Sequence, residues 1–298
     1  MMPPRELFDA SSVANGWTLR QQTLDYTGRP LLMGIINVTP DSFSDGGKFW
    51  DAEAAIKHGL ELVRQGADLL DIGGESTRPN SQPVETAEEL KRVLPVVQAL
   101  AAQTDVPLSI DTSKAAVAEA ALAAGVQVIN DVTGLEGDPG MLPLAVESGA
   151  GVCAMHMQGT PQTMQDTPQY EDVVQEIYDY LQQRRDQLAE AGVRLKRICL
   201  DVGIGFGKTH QHNLTLLANA SRFHELGCPL MVGHSRKGFI AHLLGDKQAD
   251  RTAGSVGVAL AVGSQHVQVL RVHDVAAVRE AWLLFEATRN IQSNQSTQ

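Results

Sequence analysis

Cysteine is scarce in this chain: three residues in 298, at positions 153, 199 and 228. That is too few, and too scattered, for a disulfide framework. Each lies in or beside an apolar run, so buried free thiols are the expectation. Also missing is any uninterrupted apolar stretch of the roughly 18 residues needed to span a bilayer. The opening Met-Met-Pro-Pro-Arg-Glu has no apolar core of a secretory signal, so a cytoplasmic protein is expected. Positive charge is in deficit: 24 Lys and Arg against 35 Asp and Glu give a net charge of -11. A nonspecific nucleic-acid or membrane-surface binder needs the opposite sign. An anionic substrate would have to be held by local cations against an unfavourable overall field. The rest of the composition, 43% hydrophobic and 20% charged, is that of a globular protein and excludes wholesale disorder or a fibre.

What is present is repetition. Short runs rich in Val, Ile and Leu predict strands over residues 31–37, 68–73, 106–111, 126–131, 150–156, 197–201, 229–233 and 267–273. Most are almost continuously apolar, as parallel strands covered on both faces must be. Helical patterns lie between them. Residues 51–65 open at Asp51 as an N-cap and stop at Gly66. Residues 86–102 begin Thr86-Ala87-Glu88-Glu89, a capping-box pattern. Further helices are predicted over 113–124, 170–191, 213–226, 251–262 and 275–287. Eight strands alternating with helices predict a (β/α)8 TIM barrel, with a doubly wound open sheet as the rival. No Pro- or Ser-rich linker divides the repeats, so one domain over 31–288 is expected. Residues 1–30 read as an N-terminal extension, with a hairpin over 17–30 turning at Tyr26-Thr27-Gly28-Arg29. Residues 289–298, rich in Gln, Asn and Ser, read as a flexible tail.

The predicted strands end in polar residues, where active sites of parallel barrels lie. Asn37 ends the first, and the second runs into Gly73-Gly74-Glu75-Ser76-Thr77-Arg78-Pro79. Asp111, Asn130-Asp131, His156 and Asp201 end the third to sixth. Gly233-His234-Ser235-Arg236-Lys237 follows the seventh, and Arg271-Val272-His273-Asp274 closes the eighth. Loops are polar in any protein, and helix capping accounts for Ser113 or Asp274. It accounts less well for Asp111, Asn130 and Asp201, each directly after an apolar run. Three such groups converging would cost desolvation energy unless a ligand or water pairs with them, and a polar heterocycle with several N–H donors suits them. Arg78, Arg236, Lys237, Arg271 and His273 cluster elsewhere on the rim, which points to an anionic, phosphorylated substrate.

Two features mislead. Gly203-Ile204-Gly205-Phe206-Gly207-Lys208-Thr209 resembles a P-loop, but the motif requires Gly where Val202 stands. It reads instead as a Gly-rich loop that lets backbone approach a ligand. His210 and His212 could share a metal on a strand, but with no carboxylate or Cys nearby they read as a solvated loop.

Asn37-Val38-Thr39-Pro40-Asp41-Ser42-Phe43-Ser44-Asp45-Gly46-Gly47, the 73–79 segment and Ser235-Arg236-Lys237-Gly238-Phe239 together resemble the dihydropteroate synthase family. So do Ile110-Asp111-Thr112, Ile129-Asn130-Asp131, the 201–208 loop and Arg271-Val272-His273-Asp274. The resemblance covers roughly residues 31–287. It implies a barrel enzyme joining 6-hydroxymethyl-7,8-dihydropterin diphosphate to p-aminobenzoate, with release of pyrophosphate. It implies that Asp111, Asn130, Asp201 and Lys237 hold the pterin, and that Asp111 and Lys237 serve the chemistry. Arg78, Arg271 and His273 would hold the diphosphate, with Asn37 placing Mg²⁺. Thr77, Pro79, Phe43, Ser235 and Phe206 would border the p-aminobenzoate pocket, with the 38–50 and 76–84 loops closing over it. Arg236 is left as a structural pairing. Sulfonamides would mimic p-aminobenzoate, and a homodimer is implied. A methyltetrahydrofolate-dependent methyltransferase is the nearest rival, but it needs no diphosphate site. A catalytically silent pterin-binding paralogue is disfavoured by intact Asn37, Asp111 and Lys237.

Overall fold

The computed structural model describes residues 13–26, 28–39, 48–79 and 81–295. A hairpin of β1 (Gly16–Thr18) and β2 (Thr23–Asp25) comes first. It is followed by β3 (Leu31–Asn37), α1 (Lys48–Gln65), β4 (Leu69–Gly73), α2 (Thr86–Ala101), β5 (Leu108–Asp111) and α3 (Ala115–Ala123). Then come β6 (Val128–Asp131), α4 (Met141–Ser148), β7 (Gly151–Met155), α5 (Val173–Glu190), β8 (Ile198–Asp201) and α6 (His210–Ala218). The chain finishes with β9 (Leu230–Val232), α7 (Gly238–Leu244), α8 (Thr252–Gly263), β10 (Val269–Val272) and α9 (Val275–Gln295). Strands β3 to β10 are all parallel, and the last pairs with the first, Val269 opposite Leu31 and Val272 opposite Gly34. The sheet is therefore a closed eight-stranded barrel, a TIM barrel, and the open-sheet rival is excluded.

Alternation along each strand divides the apolar residues into two populations. Outward-facing Leu32, Ile36, Leu70, Ile72, Ile110, Ile129, Val152, Leu200 and Val232 pack with the helices in one continuous core. Inward-facing Leu31, Met33, Leu69, Val128, Cys153, Cys199, Met231 and Val269 form a second cluster with Trp17 and Leu19 of the hairpin. The hairpin thus floors the barrel. Trp17 is wholly buried and donates Nε1–H to the Arg197 carbonyl at 2.9 Å. Gly151 has no side chain where Leu19 Cδ2 would lie 3.1 Å from a Cβ. Removing such an aromatic typically costs about 3–5 kcal/mol. All three cysteines are buried free thiols.

Several local expectations are corrected. The hairpin turns between Thr18 and Thr23, where Leu19 N–H bonds the Gln22 carbonyl at 2.7 Å, not at 26–29. Gly28, at φ +98°, serves the entry to β3. Helix α1 begins at Lys48, so Asp51 lies inside it. Glu85 is the N-cap of α2 and no side chain caps it, so Thr86 forms no capping box. A capping box does occur at Thr209 and His212, which open α6 rather than lie in a loop. The 213–226 helix is divided into α6 and a 3-10 segment at Ala220–Leu226. Helices α4 and α7 were not foreseen, and α9 carries on to Gln295 through the polar run after Arg289. No helix of the described residues is long and apolar enough to cross a membrane.

Candidate active site at the open end of the barrel

Above the apolar floor, the inward positions of the strands turn polar. The next inward residue on β4 is Asp71, on β6 Asn130, on β8 Asp201 and on β10 Arg271. Asp111 closes β5. Parallel register brings them level, Asp111 beside Asn130 and Gly73 beside Asp111. Arg271 bridges two acids: Nε donates to Asp71 Oδ2 at 2.6 Å and Nη2 to Asp111 Oδ2 at 2.7 Å. Asn130 Nδ2 donates to the same Asp71 oxygen at 3.0 Å, which leaves Asn130 Oδ1 for another partner. Asp201 Oδ1 accepts from Gly203 N–H at 2.8 Å. Its Oδ2 lies 3.8 Å from where a Cβ on Gly233 would stand, so that glycine leaves it room.

Electrostatics follow from this enclosure. Burial lifts the Asp111 carboxyl to about 7; Arg271 opposes the rise, while Asp71, Asp131 and Glu89 add to it. Asp201 is also raised by burial, against Gly203 N–H, Lys237, Lys208 and Arg271. Burial disfavours the Arg271 charge, yet Asp71 and Asp111 outweigh it and push the guanidinium upward. Lys237 is drawn down to about 8 by burial and by Arg271, with Asp201 and Asp111 opposing. Its ammonium sits 4.1 Å above the centre of the Phe206 ring, a cation–π contact. His273 falls to about 3 through burial and the surrounding Arg271, Arg236, Arg78 and Lys237. It is a neutral imidazole whose Nδ1 meets Ser235 Oγ at 3.0 Å. An anion among those four cations would reverse much of their effect on it.

The loop after β4 forms one side of the rim. Arg92 Nη1 donates to the Gly74 carbonyl at 2.9 Å. Lys114 holds Glu75 and, at 2.5 Å, the fully buried Glu89. Thr77 is partly buried beyond that anchor, while Arg78 and Pro79 are exposed. The charge of Arg78 is nevertheless felt at Lys237 and His273. Asn37, partly buried, ends β3 beside Gly73. Phe43 and most of the 38–50 loop lie outside the described residues. Met155, Met164 and Phe206 make a small apolar cluster at this end of the barrel. Arg236, at φ +57°, is turned outward and forms a two-point pair with Asp274 at 3.0 and 2.5 Å.

The structure therefore brings together Asp111, Asn130, Asp201, Lys237, Arg271, His273, Ser235 and Phe206, with Asn37, Thr77, Arg78 and Pro79 on the rim. Asp71 was missed. Its signal was available: a carboxylate two residues after inward-facing Leu69, inside an otherwise apolar strand. The glycines at 203–207 also differ from expectation. A Cβ on Gly203 would meet the His156 carbonyl oxygen at 1.9 Å, and one on Gly207 the Gln158 oxygen at 2.4 Å. A Cβ on Gly205 would stand 3.1 Å from Lys237 Cδ, so the three glycines let the loop press closely on its own protein, at Gly205 on the site lysine itself. Among the described residues no cluster of three His, Cys, Asp or Glu could cage a metal ion.

Comparison with known proteins agrees with this geometry. Residues 33–273 match the family described as pterin binding enzymes. The dihydropteroate synthase of Escherichia coli K12 is 44% identical over 266 residues, covering 89% of this chain and 94% of that protein. A Yersinia pestis dihydropteroate synthase in complex with a sulfonamide drug superposes with a TM-score of 0.86 at 46% identity, over 92% of this chain and 99% of that one. The Xanthomonas albilineans enzyme in complex with 7,8-dihydropteroate gives 0.83 at 43% identity, over 92% and 98%.

Proposed function

The chain belongs to the dihydropteroate synthase family, and from that membership we propose which of its residues do the work. The reaction joins 6-hydroxymethyl-7,8-dihydropterin diphosphate to p-aminobenzoate, forming 7,8-dihydropteroate and releasing pyrophosphate. One observation carries the assignment: Asp111, Asn130, Asp201, Lys237 and Arg271, far apart in sequence, line one cup.

The pterin offers ring and amino N–H donors. Asp201 Oδ2 and the Asn130 side-chain amide oxygen, Oδ1, are the acceptors for them. Lys237, still largely protonated at neutral pH with its value near 8, donates to a pterin ring oxygen or nitrogen. Departure of the diphosphate places positive charge on the pterin methylene. Asp111 faces that charge, and its carboxylate form stabilises it. Arg78, Arg271 and His273 receive the charge growing on the leaving group; a missing donor in such a site typically costs about 2.7–4 kcal/mol of transition-state stabilisation. The arylamine is uncharged at neutral pH and needs no strong base. Phe206, Ser235, Thr77, Pro79 and Phe43 border its pocket, with the 38–50 and 76–84 loops excluding water.

A single amide oxygen from Asn37, with no acidic cage beside it among the described residues, suits Mg²⁺, an ion bound mainly by substrate phosphates. Asn37 would hold the ion there, and the chemistry it would supply is neutralisation of diphosphate charge. The remaining proposals are a single barrel domain over 31–288 with a 1–30 extension, a cytoplasmic location and sulfonamide inhibition at the arylamine pocket. A homodimer is proposed as well. Incubating the purified protein with the diphosphate, p-aminobenzoate and Mg²⁺ tests the reading. Stoichiometric dihydropteroate and pyrophosphate are expected, and pyrophosphate release that ignores the arylamine would overturn it.

A further inference from the structure

Lys208 is a lysine with only 2% of its surface exposed, and the chemistry above makes no use of it. Its Nζ lies 2.8 Å from the Phe206 carbonyl oxygen, 3.1 Å from His156 Nδ1 and 3.4 Å from the His156 carbonyl oxygen. With Lys208 as an ammonium, Nζ–H donates to Nδ1 and the His156 ring proton sits on Nε2. The ring itself is neutral, held near 3 by burial and by Lys208, and packs edge-on to Tyr180 at 4.8 Å. The amine therefore ties two separate backbone segments together: the loop after β8 and the turn after β7. That loop has Gly203, Gly205 and Gly207 all at positive φ, +69°, +85° and +63°. Such a glycine-rich path has high conformational freedom when released. Further bonds fasten the residues on either side of Phe206: Gly205 N–H to Asn213 Oδ1 at 2.7 Å and Gln165 Nε2 to the Gly205 carbonyl at 3.0 Å, and Tyr170 Oη to the Gly207 carbonyl at 2.7 Å. Lys208 is the side chain that grips the Phe206 carbonyl itself.

We infer that Lys208 is a positioning residue for the p-aminobenzoate half of the site, holding the Phe206 ring beneath the Lys237 ammonium. The inference rests on the assignment of that pocket made above. Burial draws Lys208 down to about 7, with Asp201 opposing, but either protonation state keeps N–H donors for the two carbonyls. Asp201 belongs to β8 itself and, without the Lys208 charge, still keeps the Gly203 N–H and the charges of Lys237 and Arg271, so the pterin contacts depend on this tether less. The expected consequence is a split between the two substrates.

The test is Lys208→Met in the full chain, a side chain of similar length with no N–H. The KM for p-aminobenzoate should rise about tenfold, the loss of roughly one charge-assisted hydrogen bond. Affinity for dihydropterin diphosphate, titrated calorimetrically, should change less than about threefold, within the spread expected for an indirect effect. An unchanged arylamine KM overturns the inference, and so does an equal weakening of both substrates, which marks a merely structural lysine. Should Lys208→Met not fold, Lys208→Gln keeps a neutral NH2 donor group in the same hole. It should show the same split at about threefold, the smaller effect of a neutral bond. Wild-type protein in the same assay separates the two layers: without its turnover, the functional assignment falls and the inference with it.

Discussion

Replacing Asp71 by Asn changes one charge in the polar layer with almost no change in shape. The amide oxygen can take the place of Oδ2 and accept from both Arg271 and Asn130. The new NH2 falls where Oδ1 has no hydrogen-bond partner. What changes is the field at Asp111, which shares the Arg271 guanidinium with Asp71 at 2.7 and 2.6 Å. With the two carboxylates about 6 Å apart and an effective dielectric of about 20, their repulsion is about 3 kcal/mol. Removing it should lower the Asp111 value, now near 7, by about two on the pH scale. Because the carboxylate is the form that stabilises the departing pterin cation, wild-type kcat/KM for the pterin diphosphate should fall as pH drops through 7. In Asp71→Asn the same fall should come near pH 5. Initial rates of pyrophosphate release across this range, at subsaturating pterin diphosphate, measure both limbs. An acid limb that stays in place refutes the coupling, and with it the role of Asp111 as the titrating group.

Two more outcomes follow from buried charge. Asp111 has a folded-state value near 7 against about 4 for an ordinary carboxyl, so its contribution to stability is complete below about pH 4 and lost as pH rises through 7. Asp111→Asn should therefore abolish turnover yet melt higher than wild type by about 10 °C at pH 8, the equivalent of about 4 kcal/mol, with the gap narrowing toward acid pH, as read by scanning fluorimetry. Lys114→Met leaves the fully buried Glu89 without its cation and should cost about 3 kcal/mol, or about 8 °C in Tm. Pairing it with Glu89→Met should recover most of that loss; a double variant as unstable as the single would show that the carboxylate is not the cause.

The strands were legible because a parallel barrel buries both faces of each strand, which leaves long apolar runs that sequence displays directly. Their polar ends were legible for the same reason, and Asp111, Asn130, Asp201 and Arg271 do meet. Asp71 was hidden by its neighbours: within Leu69-Leu70-Asp71-Ile72 it looks like an interruption until inward and outward positions are told apart. Helix α4 escaped because Met141-Leu142-Pro143-Leu144 carries a proline and no polar face, and α7 because it is only seven residues long. The hairpin turn was misplaced because Gly28 looks like turn chemistry, while Arg20 and Gln21 do not. The grip of Lys208 on Phe206 depends on where the chain folds back, and no local pattern records that.

Trp17 and Leu19 stopper the lower end of the barrel, so among the described residues the polar cup is approached from the opposite rim. Arrival and departure then share the same loops, and a change in those loops touches both.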